Sequence, residues 1–184
     1  MSPETLGNQR VCRKVRVDED CDSVCPIARS LSVVGDQWTL LIMRELNFGV
    51  CRFDDIQALT GISPFLLATR LRRLEKEGVI EKRLYNRRPR RYEYHATEKG
   101  KALDEVLLML RAWSMKWQRK SAHEEPAVNL VHRRTKKVID ADWRPSPSRS
   151  PFRFDDAEGT IGRAFAAERE AKRRKFVASR RRND

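Results

Sequence analysis

Residues 62–95 read ISPFLLATRLRRLEKEGVIEKRLYNRRPRRYEYH, and this stretch decides the fold. A serine–proline pair opens a helix, because serine caps helix N-termini and proline suits the first helical turn. Leu67, Leu71 and Leu74 then recur at helical spacing and predict its buried face. Two short runs rich in β-branched and aromatic residues follow, residues 79–85 and 91–95, with an arginine-rich turn between them. The stretch therefore predicts a helix followed by a basic β-hairpin.

The positive charge of the chain is concentrated in the same place. Residues 70–91 contain ten Lys or Arg and three Glu, so they carry +7 of the formal net charge of +13. A sequence pI near 10.1 indicates that the whole chain is attracted to polyanions. Nucleic acid is the first partner that such density indicates, and an anionic membrane surface is the second.

Length and composition narrow the class of protein. A chain of 184 residues with 40% hydrophobic and 35% charged residues predicts one folded domain with appendages. No apolar run approaches the roughly 20 residues that cross a bilayer, and residues 1–14 lack the apolar core of a secretion signal. We therefore expect a cytoplasmic, nucleoid-associated protein that does not enter a membrane.

Three short helices are predicted before the opening stretch. The first begins at Pro26 and stops at Gly35. Asp36 is the predicted cap of the second helix, whose nearly all-round apolar surface indicates a central position in the core. Asp54 is the predicted cap of the third, and Gly61 ends it in the left-handed conformation.

The second half of the chain is less regular. Thr97 is the predicted cap of one long helix over residues 100–120, with an apolar band wider than a single core contact needs. Residues 127–143 predict a small hairpin, and the proline- and serine-rich residues 144–151 are typical of a linker. Residues 157–182 predict a basic helix. Its weak apolar stripe consists of Ile161, Phe165, Lys172 and Phe176.

Helices followed by a basic hairpin describe a winged helix-turn-helix, a mainly α fold with a small β-hairpin wing. A helix fits the major groove of B-DNA, and the preceding helix crosses the backbone. Three motifs carry a family resemblance: CPIARSLSVVGDQWTLLIMREL, RFDDIQALTGISPFLLATRLRRLEKEGVIEKR and RRYEYHATEKGKAL. With them, residues 21–120 resemble the HxlR-type bacterial transcriptional regulators. One departure is His95, where apolar or polar residues are common in that family.

The resemblance implies a homodimer that places two recognition helices in consecutive major grooves of a near-palindromic operator. The chain is expected to consist of a flexible arm (residues 1–22), which is polar and lacks apolar periodicity, an HxlR-type domain (residues 23–121) and, outside the resemblance, a linker with a basic C-terminal extension (residues 122–184). The implied activity is transcription regulation, with repression expected, modulated by thiol chemistry or a small-molecule effector. The alternative is a basic protein of nucleoid or RNA-binding type that binds nucleic acid without sequence preference.

Double-stranded DNA is the expected partner of two basic surfaces. Residues of the recognition helix are expected at base edges and the backbone, whereas the hairpin tip is expected at phosphates or in the minor groove. The alternative for both surfaces is a solvated basic face. The expected DNA-contacting residues are Ser63, Phe65, Thr69, Arg70, Arg73, Lys76, Arg87, Arg88, Arg90 and Arg91.

The dimer surface is expected on the first helix and on the apolar band of the long helix. That band exceeds what a small core covers, although both helices have the alternative of packing only within one subunit. The expected interface residues are Ile27, Leu31, Leu103, Val106, Leu107, Leu110, Trp113 and Trp117.

The cysteines raise a separate question. Cys25 precedes a helix N-terminus, where the helix dipole lowers the pKa of a thiol, and Cys21 is spaced to act as its resolving partner. The two form a possible redox sensor, and the alternative is an unreactive thiol that packs in the interface. A metal site that adds Cys12 is disfavoured because no further Cys or His pair at zinc spacing follows.

No enzymatic activity, cofactor or metal is expected. The sequence assembles no nucleophile with a base and an orienting group, and it has no glycine-rich phosphate loop. The basic extension is expected to add affinity for DNA without sequence preference, and its alternatives are an acidic partner or an anionic membrane.

Overall fold

A computed structural model of the chain describes residues 23–118, 125–145 and 151–182. The described residues divide between two units, one that ends at Gly35 and one that begins at Asp36. In the first unit, α1 (Pro26–Val34) begins and ends as predicted, and the N–H of Gly35 donates to the carbonyl of Leu31 at 2.8 Å. The predicted arm, residues 1–22, lies outside the described residues.

The second unit begins with three helices. These are α2 (Thr39–Asn47), α3 (Phe53–Thr60) and α4 (Pro64–Lys76). Their apolar faces meet in one core, and α2 is central, as its apolar surface predicted. The side chains that are at most 2% exposed there are Ile42, Met43, Ile56, Leu59, Ile62, Leu67, Leu71, Leu74, Val79 and Ile80.

Of the caps predicted for α2, α3 and α4, that of α4 is confirmed, because Ser63 Oγ accepts the backbone N–H of Leu66 at 3.3 Å. Asp36 is not the cap of α2, because the helix begins at Thr39; its carboxylate accepts the backbone N–H groups of Trp38, at 2.8 Å, and Thr39, at 3.0 Å, from the turn before the helix. The prediction for α3 is also wrong, because α3 begins at Phe53 and Asp54 lies in its first turn rather than at its cap. The Asp54 carboxylate instead accepts a hydrogen bond from Arg180 at 2.7 Å.

The wing is the antiparallel hairpin β1 (Ile80–Arg87) and β2 (Arg90–Ala96). Both strands are longer than predicted, so the turn contains two residues instead of the predicted residues 86–90. The N–H of Tyr94 donates to the carbonyl of Cys51 at 2.8 Å. The wing is therefore fixed to the segment that leads into α3.

The single long helix predicted after the wing is wrong. A short α5 (Glu98–Lys101), which Thr97 caps as predicted, is followed by a turn and then by α6 (Asp104–Trp117). α5 is fixed to the base of the wing, because a Cβ on Gly100 would lie 2.1 Å from the carbonyl oxygen of Val79. α6 is fixed elsewhere, since Asp104 accepts a hydrogen bond from Asn47 at 3.0 Å. The chain bends between these two attachments.

The C-terminal extension is folded over its described residues. β3 (Val128–His132) pairs with β4 (Ala157–Ile161), and α7 (Arg163–Arg180) follows. The hairpin predicted within residues 127–143 is confirmed only in part. Val131 forms an antiparallel bridge with Val138, and the N–H of Ile139 donates to the carbonyl of Leu130 at 2.8 Å, but the main partner of β3 is β4. The basic helix predicted from residue 157 begins later, because residues 157–161 bond to β3 as a strand.

The extension forms a second hydrophobic cluster against α6. Its buried members are Leu108, Val128, Leu130, Ile139, Phe152 and Ala157. Glu105 accepts the backbone N–H of Phe152 at 2.8 Å, and Arg111 donates to the carbonyls of Ile139 and Val128 at 2.9 Å each. The extension therefore covers the inner side of α6 with apolar and polar contacts.

α7 packs on α3, and through a buried arginine it also contacts the C-terminal end of α2. Arg169, only 7% exposed, places its Nη2 atom 2.8 Å from Oε2 of the fully buried Glu45. Its guanidinium also lies over the rings of Phe48, at 5.0 Å, and Phe165, at 5.4 Å. Arg169 is a residue that the weak apolar stripe did not identify.

Candidate nucleic-acid interface

The outer side of α4 presents polar and aromatic side chains opposite its three buried leucines. Phe65 is 80% exposed, and Thr69, Arg72 and Lys76 are exposed as well. Successive residues of a helix rotate by about 100°, so these side chains share the side opposite Leu71. We call Phe65, Thr69, Arg72, Arg73 and Lys76 the reading face, in which Arg73 is half-buried and lies at the edge. Ser63 caps the helix beside it.

Arg70 lies elsewhere. Its side chain is 23% exposed, and its Nη1 atom lies 3.5 Å from Oδ2 of Asp36, in the turn before α2. Arg70 is one helical turn from both Leu67 and Leu74, which places it at the border of the core. A DNA-contacting role for Arg70 remains a prediction, and the observed contact ties α4 to the start of α2.

Arg72 was not among the expected DNA-contacting residues, although the leucine pattern contains the signal for it. A residue one position after Leu71 and five after Leu67 must point away from the core. The side chain of Arg72 is exposed, and its Nε atom donates to the carbonyl of Ala68 at 3.3 Å. This hydrogen bond directs the guanidinium along the outer side of α4.

The wing tip consists of Arg87, Arg88, Pro89 and Arg90, and Arg91 follows it in β2. All four arginines are exposed, and within the described part of the chain none of them forms an ion pair. Four like charges in a short hairpin repel one another, and a polyanion relieves that repulsion. The arrangement suits contact with phosphates.

Arg52 joins the wing to the helix-turn-helix. Its guanidinium stacks on the ring of Tyr85 at 4.5 Å, and its Nε atom donates to Glu93 Oε1 at 3.1 Å. Arg52 also immediately precedes α3. Because Arg52 is a single basic residue outside any periodic pattern, the sequence contained no indication of its contacts with Tyr85 and Glu93.

The two described cysteines lie in opposite environments. Cys25 is exposed, and hydrogen bonds from the backbone N–H groups of Ala28 and Ile27 lower the pKa of its thiol. Burial, followed by the nearby Glu93 carboxylate, raises the pKa of the Cys51 thiol. Cys25 is therefore the more readily ionised of the two. Cys21, its predicted partner, and Cys12 lie outside the described residues.

The outer side of α6 is apolar and lacks a covering element in the described chain. Trp113 and Trp117 are 52% and 68% exposed, and Val106 and Leu110 are also exposed, whereas Leu103 and Leu107 are half-buried. In the separate α1 unit, Ile27 and Leu31 are exposed on one side of that helix. These positions are the expected dimer residues, and their role remains a prediction.

Two kinds of feature are absent from the described residues. No group of three or more His, Cys, Asp or Glu side chains there lies close enough to hold a metal ion. None of the helices in residues 23–118, 125–145 and 151–182 is both long and apolar enough to cross a membrane.

The fold and this basic surface define a winged helix-turn-helix protein of the transcription-regulator class. Residues 33–122 match the model of the HxlR-like helix-turn-helix family. The HTH-type transcriptional regulator YdeP of Bacillus subtilis is 32% identical over 109 residues, covering 58% of this chain and 85% of YdeP. The chain belongs to the HxlR-like family.

Two further relatives define the extent of the similarity. The HTH-type transcriptional regulator Rv3095 of Mycobacterium tuberculosis is 37% identical over 106 residues, and the match covers 58% of this chain and 66% of the length of Rv3095. The solved structure of PA1607, a candidate transcription factor, superposes with a TM-score of 0.57 and 32% identity. That match covers 77% of this chain and 96% of PA1607. Residues 1–124 are roughly two thirds of the chain, so the PA1607 match reaches into the C-terminal extension.

Proposed function

We propose that this protein is a sequence-specific DNA-binding regulator that occupies a near-palindromic operator as a homodimer. The observation that carries the proposal is the joint exposure of the reading face and the wing tip on one fixed frame. α4 is held in place by three buried leucines, and the wing is held by Cys51 and Arg52. Rigid elements position side chains at base edges better than mobile ones.

The reading face has the chemistry for base recognition. Arginine pairs with guanine through two hydrogen bonds, and an aromatic ring such as that of Phe65 is suited to contact the methyl group of thymine. The wing-tip arginines have the chemistry for the backbone, which carries affinity but no sequence information. In this proposal the reading face recognises the base sequence, and the wing tip adds affinity for the backbone.

The dimer proposal has support from the outer side of α6. Two tryptophans and two aliphatic side chains exposed on one helix form an apolar patch of a kind that monomeric proteins seldom leave uncovered. A symmetric dimer through this helix would set the spacing of the two reading faces. Repression follows most simply, because a dimer bound across a promoter excludes the polymerase from it. A small-molecule effector remains a prediction.

Selection of DNA from a random duplex library by the full chain tests the proposal. We expect an enriched sequence of two inverted half-sites whose centres lie about one helical turn apart. Binding to it should exceed binding to unrelated duplex by at least about 10³-fold at the same salt concentration. A protein that uses charge alone would enrich no sequence, and its specificity ratio would be close to one.

The proposed thiol modulation has a direct test in alkylation. Because the folded chain lowers the pKa of Cys25 and raises that of Cys51, iodoacetamide should modify Cys25 at lower pH than Cys51. Mass spectrometry of digests taken between pH 6 and pH 10 gives both profiles. If Cys25 stays unmodified by peroxide while DNA binding persists, the sensing role is wrong.

A further inference from the structure

We propose that the C-terminal end of α7 is a second contact with the phosphate backbone of DNA, beside the helix-turn-helix. The contact consists of Arg181 and Arg182, with Arg180 as the residue that holds them against α3. This inference rests on the proposed function, because it assigns to the extension a part in the same DNA complex. The occupant is the DNA duplex that α4 reads.

The first support is the position of α7. The helix packs on α3, whereas α4 packs on β1. In a helix-turn-helix, the helix before the recognition helix crosses the DNA backbone, and helix N-termini attract phosphate. Arg180 contacts Asp54 in the first turn of α3 at 2.7 Å. The end of α7 therefore lies at the end of α3 that is expected nearest the phosphates.

The second support is the charge that remains after pairing. Four cations of α7 are used within the protein, because Arg169 pairs with Glu45, Lys172 with Glu168, Arg174 with Glu170, and Arg180 with Asp54. The cations of residues 163–182 that form no ion pair with a described residue are Arg163, Arg173, Lys175, Arg181 and Arg182. Unpaired arginines at a helix end remain available to phosphate oxygens.

The third support is the neutralisation of Asp54. A carboxylate in the first turn of α3 interacts favourably with the helix dipole and so stabilises the helix, but it repels an approaching phosphate. Arg180 offsets that charge at 2.7 Å, and the next two residues add two positive charges. Asp55 is also acidic in that turn. The three arginines at the end of α7 outweigh the two carboxylates by one charge, so this end of α3 becomes attractive for DNA because α7 is present.

The anchoring of α7 makes the contact persistent. Arg169 is held by buried Glu45 and by two aromatic rings, so the helix is part of the folded unit. A helix attached in this way presents its arginines at a fixed distance from α4. It contributes affinity without losing the conformational entropy that a mobile basic tail would lose on binding.

The test compares two matched pairs of substitutions in the full chain. Arg181→Gln with Arg182→Gln removes two charges from the proposed contact. Arg134→Gln with Lys137→Gln removes two charges from the exposed turn after β3. The probe is the duplex selected by the unmodified protein, titrated from about 50 to 300 mM salt, with melting curves to verify that each variant is folded.

For the double substitution in α7, we expect the slope of log affinity against log salt concentration to fall in magnitude by about two, and binding to weaken roughly 50-fold at 0.1 M salt. The double substitution in the turn after β3 should change that slope by less than about one half. Equal weakening by both pairs, or an unchanged slope for the α7 pair, would overturn the inference. An unchanged slope combined with binding to an acidic protein or to anionic vesicles would assign the arginines to those partners instead.

Asp54→Asn supplies a test with the opposite sign. Removing this carboxylate should tighten DNA binding several-fold, Arg180→Gln should weaken it, and the double variant should fall between the two. No response to either change would place the end of α7 away from DNA. If the unmodified chain selects no sequence, the proposed function fails, and the same titrations on unrelated duplex still decide whether α7 contacts phosphate.

Discussion

α4 and α7 are both basic helices with one buried side, but different forces hold them. Leu67, Leu71 and Leu74 attach α4 to the core, and each fully buried leucine is worth about 1.5–3 kcal/mol. α7 is attached by Arg169, whose partner Glu45 lies 124 residues earlier. The net stability of a buried ion pair is small, because desolvation offsets the attraction. α4 is therefore held by buried apolar area, whereas α7 depends on one particular distant residue, Glu45.

Removing the Arg169 side chain should give the largest of the expected effects, a loss of folding stability. Arg169→Ala leaves the fully buried Glu45 carboxylate with only Arg44, so the free energy of unfolding should fall by about 3–5 kcal/mol. Arg174→Ala, which breaks an exposed pair with Glu170 in the same helix, should cost about 0.5 kcal/mol or less. Urea unfolding curves of the two variants give both values.

A second substitution at Glu45 sharpens this result. Glu45→Gln with Arg169→Met removes both charges and keeps most of the volume, so much of the lost stability should return. If Arg169→Ala costs no more than Arg174→Ala, the Arg169 side chain does not anchor α7, and the ring contact between Phe48 and Phe165, 6.3 Å between centroids, must suffice.

The smallest expected effect is on the discrimination between DNA sequences, which should depend on α4 and not on α7. Arg72 lies on the reading face, so Arg72→Ala should reduce discrimination between the selected operator and unrelated duplex by about 1–3 kcal/mol. Arg173→Ala, a change of the same type on α7, should leave that discrimination unchanged. Competition binding at fixed salt with both duplexes measures the difference, and equal losses of discrimination would contradict the division.

The HxlR-type part of the fold was readable from sequence because its signals are local. A cap, a first-turn proline and a leucine repeat lie within a dozen residues in α4, and alternation identified both wing strands. The errors have physical causes. One long helix was predicted over residues 100–120, but Thr97 and Gly100 fix a short helix to the base of the wing and Asp104 fixes the next helix to Asn47. These contacts with distant residues leave no trace in the helical pattern of residues 100–120.

The extension was read poorly because its contacts are non-local. β3 and β4 pair across an intervening segment, and each strand alone is a short run that also suits other structures. The buried residue of α7 is Arg169, and an arginine adds nothing to a pattern of apolar residues. The same limit affected the site, where Arg70 lies at the core border and Arg52 supports the wing.

The sequence by itself determined the helix-turn-helix, the basic wing and the family, because apolar periodicity and caps act between near neighbours. The tertiary structure decided which charges are available for a partner. Arg70, Arg169 and Arg180 are each paired with a carboxylate from another part of the chain, whereas Arg72, Arg181 and the wing-tip arginines form no ion pair in the described residues. Formal charge is a property of composition, but its availability depends on which carboxylates the fold brings within about 4 Å.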